Sequence, residues 1–202
     1  MSRIDGVAFV MAYYEAVIGT IVERLTALIA SKGLEFTLNA DRTSYTVSRG
    51  SCTDAHVVIP KFHQDKPVTT IKQMAFYKCS FLTKVTIPDS VVRIDYSAFR
   101  GCTSLTSVTI PKSIFHPGPQ SAFLTEQNLP HSIGDHSFAG CSSLTDIRYE
   151  GTIDQWATTI DSINSAFSGV PAKFVECADG RSNDLSSFGD RIASAFAIPR
   201  KK

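Results

Sequence analysis

Five histidines, five cysteines and nineteen acidic residues are the groups with which this chain could do catalysis or hold a metal. The histidines, His56, His63, His116, His131 and His136, are scattered over segments that read as loops, and only Asp135-His136 sets an acid beside an imidazole. A nucleophilic site needs a hydroxyl or thiol on the base and a third group to orient that base. No Gly-x-Ser-x-Gly, phosphate-binding glycine loop or calcium loop is present. Zinc would call for Cys-x-x-Cys or His-x-x-x-His spacing, and neither occurs. Glu150, Asp154 and Asp161 gather around Trp156 near a closing segment, where Asp154 and Asp161 are the only candidates for a glycosidase-like carboxylate pair. Trp156 itself is expected to cover the end of a core. These groups predict no enzyme, no metal and no cofactor.

The cysteines carry a different message. Cys79, Cys102 and Cys141 each stand three residues after a phenylalanine and three before a leucine, in three copies of one sentence that begin at Ile71, Ile94 and Ile133. Matched positions of the first two copies lie 23 residues apart: Phe76 and Phe99, Leu82 and Leu105, Val85 and Val108, Ile87 and Ile110, Pro88 and Pro111. A fixed period of this size predicts a solenoid. Asp135-His136 occupies the position held by Tyr96-Ser97 one copy earlier, so it reads as a variable surface position. The three repeat cysteines are expected to point inward as small hydrophobes, with parallel side chains that do not converge on a bond. Cys52 and Cys177 lie outside this ladder, and their spacing leaves a bond between them open.

Within one copy, Leu82, Val85 and Ile87 predict a short strand, with Val85 and Ile87 on one face and Lys84 and Thr86 on the other. Pro88 ends it, having no amide hydrogen to continue a ladder. Phe76, Cys79 and Leu82, at a spacing of three, predict one tight helical turn directed inward. One such coil cannot bury its own apolar face; neighbours stacked at about 4.8 Å can.

The pattern A-F-x-x-C-x-x-L-T-x-V-x-I-P-x-S-[VI] resembles the BspA-like leucine-rich repeats of bacterial surface proteins and some protists. The resemblance spans residues 57–180, and YEGTIDQW (149–156) and FVECADG (174–180) look like that family's closing segment. It implies an α+β repeat solenoid, a short leucine-rich-repeat stack with one strand and one short helical turn per coil. Residues 56–71 look like the end of a degenerate repeat, with Val57, Ile59 and Pro60 in the places of Val85, Ile87 and Pro88. Residues 34–56 are expected to hold capping strands, one of them at Tyr45 to Val47.

Phe99 and Phe138 are separated by 39 residues, and the extra material falls at 115–130. Its prolines and glycine predict a loop leaving the stack. The alternative is a decayed coil, because Ser121-Ala122-Phe123 repeats Ser97-Ala98-Phe99.

Residues 1–33 carry apolar side chains at Ile4, Val7, Met11, Tyr14, Ile18, Ile21, Leu25 and Leu28, a three-four alternation that predicts an amphipathic helix stopped by Gly33. Its wide apolar face favours a homo-oligomer of three or more strands. Two alternatives remain: a cap over the first coil, and a membrane or export segment. Glu15, Glu23 and Arg24 make it too charged for a transmembrane span, and no clear signal peptide is seen. Residues 181–202 form a tail with a short helix expected near 184–198.

With 20 basic and 19 acidic residues and no basic stripe, the chain is not expected to bind nucleic acid. The outward strand positions Lys84, Thr86, Ser107, Thr109, Asp146 and Arg148 form a polar patch suited to a protein or glycan surface. The expected function is a non-enzymatic binding or structural module, multivalent through its helix, on a cell surface or a virion. A monomeric intracellular scaffold or effector, with the helix as cap, is the alternative.

Overall fold

A computed structural model describes residues 29–114, 133–159 and 165–182. The coils stack side by side and share two ladders of strands. The first elements are β1 (Glu35–Leu38), β2 (Tyr45–Ser48) and β3 (His56–Val58). A tight hairpin, β4 (Phe62–His63) and β5 (Lys66–Ile71), follows and turns through Gln64 and Asp65, both at positive φ. β6 (Lys84–Thr86), β7 (Arg93–Ile94), β8 (Ser107–Ile110) and β9 (Asp146–Tyr149) complete the regular coils. Helix α1 (Ile153–Thr159) and the hairpin β10 (Val175–Cys177) and β11 (Gly180–Ser182) close the stack.

One sheet runs β11-β10-β9-β8-β6-β3, parallel from β3 to β10 and antiparallel only at β11. The other has β2, β5 and β7 in parallel, extended by a bridge from Ile94 to Ile133. Each regular coil therefore places two extended segments in ladders where one strand was expected. The second arises because Ile71, Ile94 and Ile133, β-branched and buried, favour extended backbone on entry to each turn.

The Ala-Phe-x-x-Cys-x-x-Leu half corrects a second expectation. Its amides bond three residues back, Cys79 to Phe76 and Leu82 to Cys79, as a 3-10 turn would. However, the residues two before and two after each phenylalanine take left-handed backbone: Met74 and Lys78, Ser97 and Gly101, His136 and Gly140. These left-handed residues break the run into successive turns and no helix forms. The turns also bond between coils, Phe76 N–H to the Ala98 carbonyl, Phe99 to Ser137 and Phe138 to Ala166.

Inside, Phe76, Phe99, Phe138 and Phe167 form a continuous stack with ring centroids 5.1, 5.1 and 5.2 Å apart and planes within 9° of parallel. The first three rings are fully buried. Phe167 belongs to a further coil that the three copies did not announce. Its signal is Ser165-Ala166-Phe167, which repeats Ser97-Ala98-Phe99, followed by left-handed Gly169 in the place of Gly101. Trp156, fully buried, packs on Phe167 at 5.9 Å and on Tyr149 at 5.3 Å, and so seals this end of the stack.

Phe99 stacks directly on Phe138 and β8 pairs directly with β9, so no coil lies between the second and third copies. The decayed-coil reading of 115–130 therefore has no place in the stack; residues 115–132 themselves lie outside the described residues. The same holds for residues 1–28, with the heptad positions from Ile4 to Leu28, and for residues 183–202 with the expected C-terminal helix. Ile29 is the last helical residue at the N-terminal side, ahead of Gly33, which instead turns the chain at φ 81°.

Candidate functional site

Alternation along each strand directs Val57, Val85, Val108, Ile147 and Val175 inward and turns their neighbours outward. The parallel register then sets the outward residues in rows. His56 lies beside Lys84, Lys84 beside Ser107, and Ser107 beside Asp146. In the second row Val58 lies beside Thr86, Thr109 beside Arg148 and Arg148 beside Glu176; the register carries Thr86 next to Thr109. Parallel neighbours of this kind are roughly 4.8 Å apart. Lys84, Thr86, Ser107, Thr109, Asp146 and Arg148 thus share one face of one sheet. Lys84, Thr86, Thr109 and Arg148 are exposed, Ser107 and Asp146 half-buried.

The charges on this face differ in how they are held. Arg148 pairs with Asp146 in its own strand at 3.4 Å, and Arg181 of β11 pairs with Glu176 at 2.9 Å. His56 Nε2 lies 2.9 Å from Thr86 Oγ1. Lys84 makes no ion pair among the described residues, so its ammonium is available to a partner. His56, Glu176 and Arg181 join this face beyond the six strand positions expected from the repeat. His56 was legible, because HVVIP aligns with KVTIP; Glu176 required the last coil to be recognised.

Asp135 and His136 do meet a hydroxyl, in a way the sequence did not foretell. Ser165 donates its backbone N–H and its hydroxyl to Asp135 Oδ1, both at 2.7 Å, and Ser165 Oγ lies 2.6 Å from His136 Nδ1. Burial would raise the Asp135 carboxyl, but the Ser165 hydrogen bonds outweigh it and hold the group below the usual range. The hydroxyl is held by the carboxylate, and His136 Nε2 stands 3.7 Å from Asp135 Oδ2. This is not the order of a relay, in which the carboxylate orients the far nitrogen of the base. The cluster clips the last coil to the one before it. Asp154 lies in the first turn of α1, and Asp161 is outside the described residues.

The five cysteines are free thiols. Cys102 donates to the Phe76 carbonyl at 3.0 Å and Cys141 to the Phe99 carbonyl at 3.2 Å, which gives each buried thiol a partner on the preceding coil. Contact with the Cys141 thiol, together with burial, pushes the Cys102 thiol up. Cys52 corrects the expectation that it lies outside the ladder. It is buried and its N–H bonds to the Arg49 carbonyl three residues back; burial above all pushes the Cys79 thiol up, and the nearby Cys52 thiol adds to it. Arg49 stands three residues before Cys52 as Phe76 does before Cys79, but it is exposed and its Nη1 lies 3.6 Å from Cys79 Sγ. Among the described residues no group of three or more metal-binding side chains comes together, and no helix is long and apolar enough to cross a membrane.

Parallel strands stacked coil on coil, with phenylalanine and cysteine columns inside, define a protein of the leucine-rich-repeat class. The chain belongs to the BspA type leucine rich repeat family, whose model, described as a region of six copies, matches residues 55–160, more than half of the chain. The coil built on Phe167 continues the stack beyond that match. Among solved structures, a leucine rich repeat protein of T. pallidum is similar at 24% identity and TM-score 0.41, over 58% of each chain. A leucine rich cell surface protein of Faecalibacterium prausnitzii is similar at 20% identity and TM-score 0.31, over 71% of this chain and 46% of the other. This chain therefore spans less than two thirds of the length of either. No curated protein sequence matches it.

Proposed function

We propose that this chain is a non-catalytic binding module that presents the outward face of its six-stranded sheet to a protein or glycan surface. The observation that carries the reading is the register, which lines Lys84, Ser107 and Asp146 in one row and Thr86, Thr109 and Arg148 in the next. An ordered array of hydroxyls with an unpaired cation offers hydrogen bonds at fixed spacing and at little entropic cost, because parallel strands on both sides hold each residue. The reading places the module on a cell envelope, as for the similar cell surface protein, or on a particle such as a virion, and joins copies through the heptad residues Ile4 to Leu28. Multivalency would then raise a weak single-site affinity.

A second reading has support of its own. Ser31, just after the helix, donates its N–H to the Val58 carbonyl and receives the Val58 N–H on its hydroxyl, closing the free edge of β3. This anchor favours a monomer whose N-terminal helix caps the first coil. Solution mass separates the two. A full-length oligomer that becomes monomeric when the chain starts at Leu34 supports display; a full-length monomer supports the cap. The face itself is tested by screening the full chain against glycan and protein arrays. A hit abolished by Lys84→Glu with Thr109→Arg supports it, and a hit indifferent to both substitutions removes it.

A further inference from the structure

The turn side of the stack carries a second surface, on the coils of Phe76 and Phe99, with a chemistry unlike that of the strand face. Lys72, Lys78 and Arg100 are exposed there, and none of them makes an ion pair among the described residues. Lys78 N–H donates to the Arg100 carbonyl at 2.8 Å, and the Lys78 stem crosses towards Gly101, where an added Cβ would lie 3.3 Å from Lys78 Cγ. The backbones that carry the two cations are therefore adjacent across the coil boundary. Met74 and Tyr96, 45% and 43% exposed, are also adjacent, with Met74 N–H on the Tyr96 carbonyl at 3.0 Å. Tyr77 adds a ring 5.2 Å beneath the Lys78 ammonium. Among the described residues the nearby acids are already engaged: Asp95 is half-buried and paired with Arg93 at 2.8 Å, and Asp135, though its side chain is 44% exposed, holds Ser165. The imbalance extends along the chain, since residues 61–112 hold eight basic against three acidic residues, and 133–182 three against seven.

We propose that this patch binds a linear acidic polysaccharide. Three uncompensated cations call for an anionic partner. A ring and a thioether exposed between them supply apolar contact for the C–H faces of sugar rings. The width decides the class of partner. Stable docking of a folded protein takes about 20–30 residues a side, far more than the six residues named. Tight, strongly salt-dependent nucleic-acid binding typically draws on roughly 6–10 phosphate contacts, twice or more what three cations supply. A chain one sugar wide, with a carboxylate or sulfate at intervals, matches both the charge and the narrowness.

The test uses the full chain with heparin as probe, and polyglutamate and a single-stranded oligonucleotide as competitors, at about 50 and about 200 mM salt. Heparin is expected to bind at low salt and weaken as salt rises. Reversing Lys72, Lys78 and Arg100 to Glu should weaken binding about tenfold or more, and Lys84→Glu on the strand face should leave it unchanged. Tyr96→Ala with Met74→Ala should weaken heparin while sparing whatever polyglutamate binding exists. Unchanged unfolding midpoints show that the variants fold. Absence of heparin binding at low salt overturns the proposal, as does equal loss with Lys84→Glu. Tighter binding of either competitor overturns the assignment to a polysaccharide. Because Lys84→Glu probes the strand face separately, failure here leaves the proposed function standing, and the reverse holds too.

Discussion

Removing one ring from the middle of the phenylalanine stack tests whether the coils are coupled only to their neighbours. Phe138 is fully buried between Phe99 at 5.1 Å and Phe167 at 5.2 Å. Phe→Ala in a core costs about 3–5 kcal/mol, and each stacked partner is worth about 0.5–1.5 kcal/mol beyond area burial. With a partner on each side and close-packed coils that cannot collapse inward, Phe138→Ala should fall at the upper end, about 4–5 kcal/mol. Phe167, 5% exposed, stacks on Phe138 on one side but meets Trp156 on the other only at 5.9 Å and 45°, so it should cost somewhat less, about 3–4 kcal/mol. A domain is stable by about 5–15 kcal/mol in all, so the first change brings the protein near its unfolding limit. Urea unfolding of both variants and of the paired substitutions is the assay. A double-mutant cycle on Phe99 and Phe138 should give a coupling of about 0.5–1.5 kcal/mol. The cycle on Phe76 and Phe138, which have Phe99 between them, should give about zero. Equal costs at Phe138 and Phe167, or equal couplings in the two cycles, would refute the nearest-neighbour reasoning.

Other consequences follow from single positions. Gly134→Ala should lose about 2–4 kcal/mol in chemical unfolding, because its Cβ would meet the Tyr96 nitrogen at 2.6 Å and the Asp95 carbonyl carbon at 2.7 Å, both backbone atoms that cannot yield. Lys78, left-handed at φ 55° where Gly101 and Gly140 hold the matching positions, should gain up to about 1 kcal/mol on Lys78→Gly; a loss would contradict the strain argument. Thr152 and Gln155 cap α1 reciprocally, Thr152 N–H on Gln155 Oε1 at 2.9 Å and Gln155 N–H on Thr152 Oγ1 at 3.3 Å, so Thr152→Ala should cost about 1 kcal/mol and expose Trp156 fluorescence to quenchers at lower denaturant. His63 is stacked on Phe36 at 4.0 Å, and burial holds its imidazole below the ordinary 6.5. The unfolded chain then binds the proton more tightly than the folded one, so its stabilisation is complete above that value and is lost as pH falls through it towards the lower folded pKa. His63→Phe should flatten this part of the pH–stability curve, and an unchanged slope would show that other groups set it.

Most of the core was legible from residue order. Phe76, Cys79, Leu82, Val85 and their copies recur because each coil must present the same apolar groups to its neighbours, and a constraint that repeats is written in the period itself. Lys84, Thr86, Ser107, Thr109, Asp146 and Arg148 were legible for the same reason, since alternation directs every second strand residue outward. Residue types at the turns were less telling. Helical spacing at Phe76, Cys79 and Leu82 concealed a chain of turns, because left-handed backbone at Met74, Lys78 and Ser97 falls on residues that do not ordinarily mark it.

By itself the sequence determined the repeat, its apolar columns and its outward polar positions, all of which follow from local periodicity. Only the tertiary structure decided how many coils stack, which coil follows which across residues 115–132, and which distant groups meet. The Phe167 coil, the Cys52 thiol beside Cys79, Ser165 on Asp135 and the Lys78–Arg100 pair all depend on contact between coils. Those contacts are set by the register of one coil against the next, a quantity that no single repeat contains.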